Sequence, residues 1–165
     1  MSQDFLDELG ELALGSRLKR LSERMLADAA KVYQAFGIDA QPKWFTLLAL
    51  LHQQQPISVV EAAERLGLTQ PAISQFCRQL VQADLVQLVT CEQDSRRRLI
   101  SLTNKGKQEV LRMQPMWQAV QQAAVQLCRE LENDFYVSLQ KCEKALTQRS
   151  LLQRTLDIHD AASRH

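Results

Sequence analysis

Apolar residues recur at Leu14, Leu18, Leu21, Met25, Ala29, Val32 and Phe36, in steps of three and four. That spacing predicts a helix over residues 4–36 with a single apolar stripe, stopped at Gly37. After Pro42 comes "KWFTLLALLHQQQ", apolar on most sides and so expected at the centre of the core. Pro56 ends it, and Ile57 is left for an isolated short strand. Ser58 and Glu61 have capping-box spacing for a helix over 58–66, which Gly67 closes. Thr69 can cap the next helix, 69–83, with Pro71 in its first turn, where a missing N–H costs little. Two helices joined by a turn of about three residues make a helix-turn-helix.

Beyond residue 85 the period changes from helical to alternating. Val86, Leu88 and Thr90 alternate with Gln87, Val89 and Cys91, and Leu99, Ser101 and Thr103 alternate with Ile100 and Leu102. These are the two strands of a hairpin with "QDSRR" at its tip. From Asn104 to about residue 160 the helical period returns. Its stripe includes Leu111, Val120, Ala124, Leu127, Leu131, Phe135, Leu139, Cys142 and Leu146. Pro115 is expected to bend this run, and Asn133-Asp134 and Gln148 to Ser150 are expected to break it.

Composition adds limits rather than detail. The chain has 165 residues, 45% of them hydrophobic, so a packed core is expected. The net charge of +1 gives no global field toward nucleic acid, so any such reading must be local. The start, "MSQDFLDELGEL", lacks the basic region of a signal peptide, and no apolar run reaches the ~18 residues of a membrane span. A cytoplasmic protein without membrane contact is expected. Cys77, Cys91, Cys128 and Cys142 form no CxxC pair and read as inert thiols in a reducing compartment.

The chemistry sits on the second helix of the pair. On a helical wheel, Ile73, Phe76, Cys77 and Leu80 fall on the core side. Pro71, Gln75, Arg78 and Gln82 fall opposite, flanked by Ala72, Ser74 and Gln79. From Gln70 to Ala83 there is no acid to repel phosphate. Glutamine reads adenine bidentately, arginine reads guanine, and small residues meet the thymine methyl. A helix offered by a short turn after another helix is the usual reader of the major groove. A Gln-rich solvated surface is the plain alternative. The hairpin tip decides between them: Arg96, Arg97 and Arg98 lie where they can reach an adjacent minor groove. From Glu64 to Arg112, eight bases face five acids, a net charge of +3.

The helix-turn-helix followed by "LVQLVTCEQDSRRRLISLTNKG" resembles the winged-helix core of the MarR transcriptional regulators. Asp94, Arg96, Leu102, Thr103 and Gly106 match, in one register, that family's wing motif and the start of its next helix. "ELALGSRLKRLSERM" and "ELENDFYVSLQKCEKAL" further resemble the regulatory half of MarR proteins fused to a GNAT acetyltransferase, here without the acetyltransferase. The resemblance implies a mainly α fold with a small β-wing. Residues 41–112 would form the winged helix-turn-helix core, flanked by an N-terminal dimerisation helix over 1–40 and C-terminal dimerisation helices over 113–165. It implies base contacts from Gln70, Ser74, Gln75 and Arg78 and a helix cap at Thr69 that touches phosphate, and Gln79, on the flank of the same face, is counted with them among the DNA-binding residues. Asp94 would hold Arg96 and so stabilise the wing, leaving Arg97 or Arg98 nearer the DNA backbone or minor groove. Two positions depart from the family. Gln75 stands where arginine is frequent, and Ala83-Asp84 replaces the usual Lys-Gly.

The implied function is sequence-specific binding of double-stranded DNA by a homodimer on a pseudo-palindrome, modulated by a small-molecule effector. Trp44, Trp117, Arg17 and His52 are candidates to line an effector cleft, with the two tryptophans equally suited to the core. No effector residue is assigned. An enzyme is not expected: His52, His159 and His165 are scattered, and there is no phosphate-cradling glycine loop or nucleophile motif. No metal or cofactor is expected either. The rival reading is a winged helix that binds protein, which should expose apolar anchors where this face carries Gln, Ser and Arg.

Overall fold

The computed structural model describes residues 4–90, 98–131 and 134–162. It divides into two compact units, residues 1–117 and 118–165.

The first unit opens with a correction to the expected single N-terminal helix. Gly10 adopts a positive φ of 54° and splits that helix. Helix α1 (Phe5–Leu9) gives way to a 3-10 turn (Gly10–Ala13), and only then does α2 (Leu14–Ala35) begin. The early acids do more than match a helix dipole. Asp4 takes a 2.6 Å ion pair from Arg20, and Asp7 pairs with Arg17, so α1 is tied back onto α2. The Arg20 hydrogen bond holds the Asp4 carboxyl below its usual range. Exposed pairs of this kind contribute little to stability, because solvent and salt screen them.

A 3-10 turn (Pro42–Trp44) leads into α3 (Phe45–Gln53), whose Leu47, Leu48 and Leu51 are fully buried, as the all-round apolar pattern predicts. Strand β1 (Ile57–Ser58) precedes α4 (Val59–Leu66) and α5 (Gln70–Gln82). The capping box of α4 is half formed. Ser58 Oγ accepts from Glu61 N at 3.1 Å, but the Glu61 carboxylate instead accepts from Gln54 Nε2 at 2.9 Å. Strands β2 (Val86–Thr90) and β3 (Arg98–Leu102) complete an antiparallel sheet in the order β1-β3-β2. Ile57 pairs with Ile100, and Val86 with Leu102. Those four side chains close the core under α3 and α5, together with Val110, Met113 and Met116 of α6 (Asn104–Glu130). Pro115 lies inside α6, which continues through it without a break.

Three helices of this unit end in the same way. Ile38 N bonds to Tyr33 O, Leu68 N to Ala63 O and Leu85 N to Leu80 O, at 2.9–3.0 Å. Each is the long bond of a Schellman motif, which needs a left-handed residue just before the donor. Gly37 (φ 64°) and Gly67 (φ 62°) fill that position after α2 and α4. After α5 it is filled by Asp84, at φ 58°. This is the position at which the sequence departs from the usual Lys-Gly. A side chain in that region costs about 1 kcal/mol, somewhat less for Asp than for most residues. Asp84→Gly is therefore expected to stabilise the protein by about 1 kcal/mol and to raise its melting temperature by ~2–4 °C. A thermal melt that moves down instead would show that the Asp84 side chain contributes more than its backbone costs.

In the second unit, Asp134 Oδ1 caps α7 (Phe135–Gln148) through Val137 N. Ser150 and Gln153 form a reciprocal capping box on α8 (Leu151–Ala162), with bonds of 3.2 and 3.0 Å. Arg154 closes the end of α7 by donating to the carbonyls of Ala145 and Arg149, both at 3.0 Å. The breaks expected near residues 133 and 149 therefore have their capping residues in place. Among the described residues of this unit, no side chain is buried.

Candidate nucleic-acid interface

Helix α5 is built to present one face. Thr69 Oγ1 accepts from Ala72 N at 3.3 Å, and Pro71 occupies the first turn, so the helix start is satisfied by its own sequence. Ile73, Cys77 and Leu80 are buried and Phe76 is half-buried. Burial pushes the Cys77 thiol up to about 11. On the other side Gln70, Pro71, Gln75, Arg78 and Gln82 are exposed, with Ala72, Ser74 and Gln79 half-buried along the flanks. The wheel drawn from sequence and the faces of the folded helix agree position by position. Neither the Gln75 nor the Arg78 side chain is hydrogen-bonded to another described residue, so among those residues the amide and the guanidinium fork have no partner. Gln79 differs. Its Oε1 accepts the indole N–H of buried Trp44 at 2.9 Å.

The end of α5 and the start of α6 are stapled together behind the sheet. Thr103 N donates to Leu85 O at 3.1 Å, and Thr103 Oγ1 donates to Asp84 O at 2.7 Å. The same hydroxyl oxygen accepts from Gly106 N at 2.9 Å, which caps α6. Lys105 Nζ reaches Ala83 O at 2.9 Å. Gly106 lies so close to Leu85 that an added Cβ would stand 1.9 Å from its carbonyl oxygen. The Thr103 and Gly106 spacing noted in the sequence is thus the joint between the reading helix, the sheet and α6.

Of the hairpin arginines, Arg98 is exposed at the first position of β3, opposite Thr90. Asp94, Arg96 and Arg97, and with them the expected Asp94–Arg96 pair, lie outside the described residues. The residues considered for an effector cleft have defined partners. Trp44 is buried against the core, and Trp117 donates to the Tyr33 hydroxyl at 3.3 Å. The Trp117 ring stands edge-on to Phe45, with centroids 5.0 Å apart. His52 meets Gln114 at 2.8 Å, and Arg17 is held by Asp7. Trp44 is the member of the interface that sequence reasoning missed. The usable signal was a buried indole N–H, which requires an acceptor, but that acceptor is an amide 35 residues away in sequence.

Among the described residues, no group of three His, Cys, Asp or Glu side chains is placed to hold a metal ion, and no helix is long and apolar enough to cross a membrane.

Residues 36–97 match the MarR family. No curated protein sequence matches the chain. Among solved structures, the chain is similar to the S. aureus MepR–DNA complex, at 20% identity and a TM-score of 0.66, over 81% of this chain and 96% of that one. It is similar to the transcriptional repressor CouR bound to a 23-mer DNA duplex, at 22% identity and a TM-score of 0.65, over 89% and 99% of the two chains. It also resembles the PcaV transcriptional regulator from Streptomyces coelicolor in complex with its natural ligand, at 18% identity and a TM-score of 0.64, over 91% and 99%. With a capped α5, a three-stranded antiparallel sheet and this match across the helix-turn-helix, the chain has a winged helix-turn-helix fold whose residues 36–97 match the MarR family.

Proposed function

We propose that this protein is a sequence-specific DNA-binding transcriptional regulator, not an enzyme, and that it works in the cytoplasm as a homodimer on a pseudo-palindromic site. The observation that carries this reading is the outer face of α5, where Gln75 and Arg78 are exposed, their side chains have no hydrogen-bond partner among the described residues, and no acid lies beside them on the helix. These are the side chains that read adenine and guanine edges. Arg98, exposed at the base of the hairpin, supplies a cation on the same wing. Two of the solved relatives are DNA complexes, which supports the same use of the fold.

The homodimer follows from uncovered apolar surface. Leu14, Leu18, Leu21 and Met25 of the α2 stripe are all more than a third exposed. In the second unit Leu127, Leu131, Leu146, Leu152 and Ile158 are also exposed, and nothing there is buried. Helices with apolar stripes and no core of their own need a second surface, and a two-fold partner supplies one. It would set two reading helices on half-sites of one operator. The domain limits 1–40, 41–112 and 113–165 then describe dimerising, reading and dimerising segments. A small-molecule effector is part of the reading by analogy with the ligand complex of PcaV.

The test is fluorescence anisotropy against a duplex from the region upstream of the protein's own gene and a scrambled duplex of equal length. The expected result is preference for the genuine sequence, an affinity that falls steeply with salt, and sedimentation of the free protein at twice 18.8 kDa. A clean monomer at micromolar concentration would remove the two-half-site arrangement. Absence of binding to either duplex would move the reading to a protein partner.

A further inference from the structure

Gln79 stands apart from the other glutamines of α5 because one end of its amide is already used. The indole N–H of Trp44 is a donor and carries no acceptor lone pair. Of the two ends of the Gln79 amide, only the oxygen can meet it, as the 2.9 Å bond requires. The usual ambiguity between amide oxygen and nitrogen is removed by chemistry. Oε1 faces the buried ring, and Nε2, with two N–H groups, is turned away from it. Those two donors meet no acceptor among the described residues, and Gln79 is half-buried on the flank of the exposed face that carries Gln75, Arg78 and Gln82. Lys43, the neighbour of Trp44 in sequence, is exposed.

Bidentate reading of adenine needs both amide ends, one to accept from N6 and one to donate to N7. Gln75 and Gln82 keep both ends for such use; Gln79 does not. What Gln79 still offers is a pair of donors on a fixed plane; a duplex offers acceptor-only partners at guanine N7 and O6, at thymine O4 and at the phosphate oxygens, and the half-buried place of Gln79 on the flank of the exposed face favours the phosphate. We propose that Gln79 is a phosphate contact rather than a base contact, and that Trp44 is its positioning residue, holding the amide with its nitrogen toward the DNA backbone. The proposal rests on the DNA-binding reading of α5. It assigns Gln79 to setting the register of the helix on the duplex and removes it from the residues that choose the sequence.

The experiment measures affinity of the full chain for its preferred duplex and for the scrambled one, with Gln79→Ala, Gln79→Glu, Trp44→Phe and the double variant Trp44→Phe/Gln79→Ala. Gln79→Ala is expected to weaken both duplexes alike, by about fivefold. Gln79→Glu keeps an acceptor for the indole but sets a carboxylate against phosphate, so its loss should exceed that of Gln79→Ala on both duplexes. Trp44→Phe keeps the buried ring and releases the amide. It should cost several-fold in the parent and nothing further once Gln79 is alanine. Since Gln79→Glu leaves the core untouched, its result stands even if Trp44→Phe fails to fold.

A loss confined to the preferred duplex would overturn the phosphate assignment in favour of a base contact. Unchanged or tighter binding by Gln79→Glu would overturn the contact altogether. Additive losses for Trp44 and Gln79 would overturn the positioning role. If the parent binds neither duplex, the DNA-binding reading itself falls and the proposal with it, an outcome the parent control separates from the other three.

Discussion

Gly106→Ala is expected to destabilise the protein by about 3 kcal/mol, at the upper end of what overpacking a tight site costs. The new Cβ would stand 1.9 Å from Leu85 O and 2.9 Å from its carbonyl carbon, so one of the two segments must move. Neither moves freely. Leu85 O holds Thr103 N, and Leu85 N holds Leu80 O at the end of α5. Gly106 N is itself one of the donors that caps α6 through Thr103 Oγ1. Relief on either side breaks a bond at the joint between reading helix and wing. For a chain of this size the melting temperature should fall by roughly 6–12 °C. Denaturant unfolding checks the free energy directly. A variant that melts within about 2 °C of the parent would mean the joint yields without losing its hydrogen bonds.

Arg78→Ala and Gln75→Ala should each weaken binding to the preferred duplex by about 1–3 kcal/mol, the usual worth of a bidentate base contact. Both residues are exposed and neither side chain is hydrogen-bonded to another described residue, so their removal should leave stability within about 0.5 kcal/mol of the parent. The loss on a scrambled duplex should be smaller, because only phosphate contacts survive there. Equal losses on both duplexes would assign Arg78 and Gln75 to the backbone. Set beside Gln79→Ala, the three variants sort one helical face into residues that choose a sequence and a residue that seats the helix.

Much of this face was legible because helical periodicity states which side of α5 is buried before anything is known of its neighbours. Ile73, Cys77 and Leu80 against Gln75, Arg78 and Gln82 is a pattern in which local and tertiary preferences agree. The cap at Thr69 was legible for the same reason, since its partner lies three residues away; Asn133-Asp134 and Gln148 to Ser150 were read as breaks, and there Asp134 and Ser150 prove to be the caps of α7 and α8. Three things were hidden. The break at Gly10 was not anticipated, because the apolar stripe starts only at Leu14 and the Asp4–Arg20 and Asp7–Arg17 pairs that fold α1 back span ten or more residues. The Glu61 side chain went to Gln54 because a competing amide, supplied from the end of α3, is invisible to a rule about neighbours. Gln79 read as a DNA contact like the other glutamines, since its partner Trp44 lies 35 residues away. Asp84 is the converse case. The missing glycine was plain in the sequence, and only the positive φ tells what the substitution asks of the backbone.

The thiol on the inner side of α5 makes the reading helix its own clock. With burial holding Cys77 at about 11, roughly one thiol in a thousand would be thiolate at pH 8, even before steric shielding is counted. An alkylating reagent can therefore modify Cys77 at an appreciable rate only while α5 is lifted from the sheet and the thiol regains its ordinary acidity. Cys91, Cys128 and Cys142 fall on other tryptic peptides, since cleavage after Arg65 and Arg78 isolates Cys77, so peptide mapping separates their signals from its own. The pace at which Cys77 gains mass counts the excursions of one helix at a single site, and DNA that grips the opposite face should slow that count without ever touching the sulfur.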